Sequence, residues 1–117
     1  MSDNCLFCKI VEGTIPSRKV YEDEHVLAFH DIQPQAPVHL LVIPKKHIAS
    51  LDDAGAADAE LLGRIQLIAQ RVAREAGAAE SGYRVVTNSG RDAGQIVFHI
   101  HYHVLGGAKL SSPGAAE

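Results

Sequence analysis

The stretch Phe98-His99-Ile100-His101-Tyr102-His103-Val104-Leu105 places three of the chain's seven histidines at every second residue, with large β-forming side chains between them. A strand sends alternate side chains to opposite faces, so this spacing predicts three imidazoles in a row on one face. Phe98, Ile100, Tyr102 and Val104 then point the other way, into a core. Imidazole, with an unperturbed pKa of roughly 6.5, serves as base, nucleophile or metal ligand near neutral pH. Three in strict alternation beside a glycine-bearing loop read as chemistry more readily than as an exposed strand that happens to carry His.

Outward from that strand, the loop 89–95 follows a run of β-formers at residues 83–88. Before it, residues 50–77 change period: Leu61, Ile65, Ile68 and Val72 recur at helical spacing, with Ser50 and Asp53 spaced like a capping box and Gly77 as a stop. Gly63 inside that stripe costs about 1 kcal/mol relative to Ala, which suggests close packing there. Residues 38–43 form a nearly continuous apolar run stopped by Pro44, as expected of a strand buried on both faces. Residues 19–22 and 25–29 read as a hairpin around Asp23-Glu24, and residues 6–12 as a short helix ending at Gly13. About five strands, mostly antiparallel because most connections are short, with one long helix and a short N-terminal helix, define an α+β domain.

The chain has 117 residues, 46% of them hydrophobic, which is the size of one domain spanning residues 1–117, with 108–117 as a loosely ordered C-terminal tail. A net charge of -3 without a sustained basic run argues against a polynucleotide partner but leaves room for a single nucleotide. No apolar run approaches about 18 residues and the N-terminus shows no leader pattern, so neither membrane insertion nor export is expected. Both cysteines lie in one Cys5-x-x-Cys8 pair, which fits a reducing, cytoplasmic setting.

Several chemical readings stay open on the residues alone. The histidine row can bind a catalytic metal or supply a nucleophile; with no Asp or Glu in the strand, the nucleophile is favoured. The cysteine pair is either two small buried hydrophobes or half of a zinc site completed by His47 and one histidine of the row. The loop 88–95 is an ordinary connection or a cradle of backbone N–H groups for phosphate. Lys45 and Lys46 read as a solvated corner. Asp31 reads first as a turn cap, with ribose hydroxyls as a second possible partner.

The pattern His-φ-His-φ-His-φ-φ, with φ apolar, is met by residues 99–105. Together with Ala28-Phe29-His30-Asp31-Ile32, Pro34-Gln35-Ala36-Pro37, residues 41–48, Gly94-Gln95 and Leu105-Gly106-Gly107, it makes the chain resemble the histidine triad (HIT) family and its Hint-like branch of nucleotide-binding phosphoramidases. The resemblance runs from about residue 5 to residue 107. It implies a homodimer that hydrolyses purine nucleoside 5′-monophosphoramidates through a nucleotidyl-histidine, with an AMP- or GMP-like mononucleotide as ligand. His101 would be the nucleophile and His103 its catalytic neighbour at the phosphate. Phe29, Asp31 and Ile32 would hold base and ribose, with Asn88, Gly94, Gln95 and Ile96 on the phosphate side. Cys5, Cys8, His47 and His99 match the branch's zinc-binding members, where Zn2+ is structural and the chemistry needs no cofactor. Ile96 stands where many members carry Ser or Thr, which motivates a rival reading: a nucleotide-binding sensor with vestigial catalysis.

Overall fold

The computed structural model describes residues 4–111; the expected loose tail lies partly outside them. The first element, α1 (Leu6–Glu12), begins at Cys5, whose Sγ accepts the Cys8 N–H at 3.2 Å, and ends at Gly13 in the left-handed region at φ 84°. A Cβ is strained there, so glycine fits the stop. Next come β1 (Lys19–Glu22), β2 (Val26–His30) and β3 (Val38–Pro44), then α2 (Ala59–Glu75), β4 (Tyr83–Val86) and β5 (Tyr102–Gly106). These strands form one sheet in the order β1-β2-β3-β5-β4, antiparallel at every pairing.

Side-chain alternation assigns the two faces. Val26 and Ala28 of β2, Leu40 and Val42 of β3, and Tyr102 and Val104 of β5 meet Ile65, Ile68 and Val72 of α2. Leu27, Phe29, Leu41 and Ile43 turn to the opposite face and meet Phe7, Cys8 and Ile10 of α1. Burial on both sides explains the nearly continuous apolar runs in β2 and β3.

The long helix starts later than the periodicity suggests. Two short 3₁₀ turns, Leu51–Asp53 and Ala56–Asp58, precede it, and the Ser50 hydroxyl donates to the Asp53 carboxylate at 2.6 Å instead of capping a helix. Gly63 faces open space, since a Cβ there would meet nothing within 4 Å, so the expected close packing is absent. β4 ends at Val86, two residues short of the expected strand.

The histidine stretch also departs from its simplest reading. Only His103 lies in a strand; His99 and His101 precede β5 in an irregular segment that bends at residues 97–99. The β3–β5 ladder ends at the pairing of Val42 with Tyr102, two residues before Pro44, which has no N–H to offer, and beyond it the two segments are joined by bonds such as Ile100 N–H to Ile48 C=O at 2.6 Å. The alternation survives: Ile100, Tyr102 and Val104 enter the α2-side core while the histidines take the other face. Phe98 is 48% exposed, outside the core to which the alternation assigned it.

Candidate functional site

A cavity of about 600 Å³ opens on the α1 face of the sheet. Its apolar wall comes from Leu6, Phe7 and Ile10 of α1 with Phe29 of β2, and its polar side holds Asp31, His39, Asn88, His101 and His103. A concave, mostly apolar space with a few convergent polar groups is the usual form of a small-molecule site. Of the residues assigned to nucleotide contact, Phe29, Asp31, Ile32, Asn88, Gly94, Ile96, His101 and His103 line it. Gln95 does not. It is buried, its Oε1 accepts the Gly90 N–H at 2.8 Å, and its Nε2 donates to Ala49 C=O at 2.8 Å and Val97 C=O at 3.0 Å. Its amide is thus committed to holding the loop that carries Asn88 and Gly94.

Hydrogen bonds fix the imidazole tautomers. His101 Nδ1 lies 2.9 Å from the His99 carbonyl, which can only accept, so Nδ1 carries the proton and Nε2 the lone pair. The Phe7 ring meets the His101 ring edge to face at 5.1 Å and 88°, which holds its plane. Gln35 N–H donates to His39 Nδ1 at 3.0 Å, so the His39 proton is on Nε2, 2.9 Å from His103 Nδ1 and 3.3 Å from Asp31 Oδ2. His103 therefore accepts at Nδ1 and presents Nε2–H. Burial pushes His103 down to about 4, assisted by its neighbours His101 and His39, and burial also lowers His101 and His39. These rings are neutral at pH 7, the form a nucleophile requires.

His39 escaped the sequence reading because it is one imidazole in an apolar strand. Its signal was that same isolation: a lone polar side chain in a run buried on both faces needs a partner. Asp31 takes the first of its expected roles, since Oδ1 accepts the Gln33 N–H at 2.8 Å as a turn cap, while Oδ2 faces His39 at 3.3 Å. Lys45 and Lys46 do not line the cavity and pair with Glu22 at 2.8 Å and Asp58 at 2.6 Å.

A second constellation lies behind the first. Cys5, Cys8, His47 and His99 bring one ligand atom each within 4.8 Å of one another. His99 is fully buried and donates Nε2–H to Pro44 C=O at 2.7 Å, which turns the Nδ1 lone pair inward. That nitrogen lies 3.4 Å from Cys5 Sγ, 3.5 Å from Cys8 Sγ and 3.2 Å from His47 Nδ1, with Cys8 Sγ to His47 Nδ1 at 3.2 Å. Tetrahedral zinc with Zn–N near 2.0 Å and Zn–S near 2.3 Å places its ligands about 3.3 to 3.8 Å apart, so the donor set fits such an ion in number, type and spacing. Burial and the neighbouring Cys5 hold the Cys8 thiol up at about 11, and a dication would reverse that preference. The carbonyl bond to the second ring nitrogen is the orienting contact expected of a ligating histidine.

This fold with this histidine row defines the chain as a HIT-domain protein: a family profile described as HIT domain matches residues 12–110, and the chain belongs to that family. Among proteins it resembles, the purine nucleoside phosphoramidase of Escherichia coli (strain K12) is 46% identical over 110 residues, covering 94% of this chain and 92% of that protein. An uncharacterised 13.2 kDa HIT-like protein of Azospirillum brasilense is 52% identical over 109 residues, covering 92% of this chain and 88% of that one. The crystal structure of a HIT family hydrolase from Legionella pneumophila Philadelphia 1 superposes with a TM-score of 0.93 at 52% identity, covering 96% of this chain and all of that one. A histidine triad protein from Clostridium difficile gives 0.93 at 47% identity, covering 97% and 98%.

Proposed function

We propose that this protein is a hydrolase of purine nucleoside 5′-monophosphoramidates that works through a nucleotidyl-histidine. The observation that carries the proposal is the His101 tautomer, fixed by the His99 carbonyl, in a cavity of nucleotide size. The apolar wall with Phe29 and Ile32 takes the purine, Asp31 faces the ribose hydroxyls, and the phosphate lies among His101, His103, Asn88 and the Gly94 and Ile96 backbone. Gln95 acts through the loop it holds.

His101 Nε2 attacks the α-phosphorus in line with the P–N bond. That bond breaks as the Nε2–P bond forms, and the nitrogen leaves as a neutral amine once it gains a proton. The anionic substrate offsets the burial that depresses His103, so a proton enters the Asp31–His39–His103 chain with it and passes from His103 Nε2 to the amine. Water then attacks phosphorus, its proton returns to that chain, and the released mononucleotide restores the His101 lone pair. Splitting one displacement into two uses the same positioned donors twice.

Zinc in the Cys5, Cys8, His47 and His99 centre would supply structural cross-linking, and no reaction step passes through it. The profile match over most of the chain supports a single domain, and two buried free cysteines fit a cytoplasmic setting. Among the described residues no helix is long and apolar enough to cross a membrane. Leu67, 64% exposed on α2, and Val85 on the sheet-edge strand β4 support a homodimer formed through these elements. Leu67→Glu is expected to shift light scattering towards the monomer mass; an unchanged mass would remove α2 from the interface.

The rival reading, a nucleotide sensor with vestigial catalysis, rests on Ile96, which lines the cavity mouth at 88% exposure and offers no hydroxyl to the phosphate. Amine release from a fluorescent adenosine 5′-phosphoramidate decides between them. The expected result is turnover that falls at least about a thousandfold in His101→Ala, with AMP affinity nearly unchanged. Turnover retained in the variant would refute the nucleophile, and AMP binding without turnover in the unaltered protein would favour the sensor.

A further inference from the structure

The segment from residue 5 to residue 15 takes part in both constellations at once. Cys5 and Cys8 enter the sulfur–imidazole cluster, while Leu6, Phe7 and Ile10, interleaved with them, form the cavity wall. Its backbone hydrogen bonds close on itself: Cys5, Lys9 and Ile10 carbonyls accept from Lys9, Gly13, Thr14 and Ile15. Among the described residues, side chains alone fasten α1 to the sheet. One attachment is apolar packing on Leu27, Phe29, Leu41 and Ile43, and the other is the cysteine–histidine cluster.

His99 is likewise shared. Its Nδ1 faces the cluster, and its carbonyl receives the His101 Nδ1–H at 2.9 Å. Phe7 closes the circuit, lying edge to face on His101 at 5.1 Å and on Phe29 at 5.7 Å. Whatever fixes Cys5, Cys8 and His99 therefore fixes the cavity wall and the orientation of the ring in the same act.

We propose that the Cys5–Cys8–His47–His99 centre is a control site for the cavity: a divalent metal bound there and a nucleotide bound in the cavity favour each other, with Phe7 and the His99 carbonyl as the positioning groups. This inference rests on the metal and nucleotide readings above. The metal removes freedom from α1 that nucleotide binding would otherwise have to remove. Thermodynamic linkage makes the effect reciprocal, so each ligand must tighten the other by one common factor.

The test is calorimetric titration of AMP into zinc-loaded protein and into metal-free protein whose fold has been checked by circular dichroism. A chromogenic chelator then competes for zinc with and without saturating AMP. The expected result is AMP binding at least about fivefold weaker without zinc, and zinc binding strengthened by the same factor with AMP. Phe7→Leu keeps all four ligands and should retain zinc while reducing that common factor. Equal AMP affinity in the folded metal-free and loaded proteins would overturn the coupling alone. A metal-free protein that is unfolded would also overturn it, because the metal would then serve folding only. Failure to take up zinc would overturn the metal reading and the coupling together, and failure of AMP to bind the loaded protein would overturn the nucleotide reading.

Discussion

At the scale of single residues, the site is decided by where protons sit. A carbonyl on one ring nitrogen of His101 and a backbone N–H on one ring nitrogen of His39 are enough to orient three imidazoles and a carboxylate. His39 touches neither the nucleophile's reactive nitrogen nor the proposed phosphate; it acts by giving His103 a donor at Nδ1, and so keeps Nε2–H turned to the cavity. His39→Gln should lower turnover about ten- to a hundredfold, within the range of acid–base contributions, with AMP affinity little changed and the acid limb of the pH–rate profile displaced. An unmoved pH profile with the same loss would reduce His39 to a packing residue.

At the scale of elements, the loop between β4 and β5 depends on a side chain that never reaches the ligand. Gln95→Leu would strand the Gly90 N–H and the carbonyls of Ala49 and Val97, at about 1 to 3 kcal/mol for each one left buried. A loss near 3 kcal/mol corresponds to a melting temperature lower by about 10 °C in a chain of this size, together with weaker AMP binding; an unchanged midpoint would show the loop is held otherwise. Much of the architecture around this loop was legible in sequence. β2, β3 and the stripe Ile65, Ile68, Val72 follow from the apolar pattern, because burial is what such patterns record, while β1, with no buried residue, follows from the hairpin around Asp23-Glu24. The irregular path of His99 to His101 was not legible, because period-2 alternation describes any extended chain with two environments and does not say whether a ladder partner exists. The pairing ended at Val42, a long way off in sequence. The site was legible wherever side chains cluster in short motifs. It was illegible where a contact joins distant segments, as with His39 on His103 or the Gln95 amide on Ala49.

At the scale of the whole molecule, buried neutral imidazoles make stability depend on pH. His103, depressed to about 4, and His39, also lowered, bind fewer protons folded than unfolded between about pH 4 and the unfolded value near 6.5. Their contribution is present in full above that unfolded value and is lost as the pH falls through the window, so stability rises with pH there. The melting temperature should fall on going from pH 7 to pH 5, and His103→Gln should flatten the slope; equal slopes would assign the acid sensitivity to other groups. The order β1-β2-β3-β5-β4 has a different kind of consequence, one of timing. β5 sits between β3 and β4 yet follows both in the chain, so as synthesis proceeds the sheet has a gap between β3 and β4. Until the ribosome has delivered residues 102–106, β3 and β4 carry open edges of the sort that pair promiscuously with other chains. The same late segment carries His103 and lies directly after His101. The molecule therefore ties β4 to the rest of its sheet and assembles its histidine row in one event, the pairing of β5.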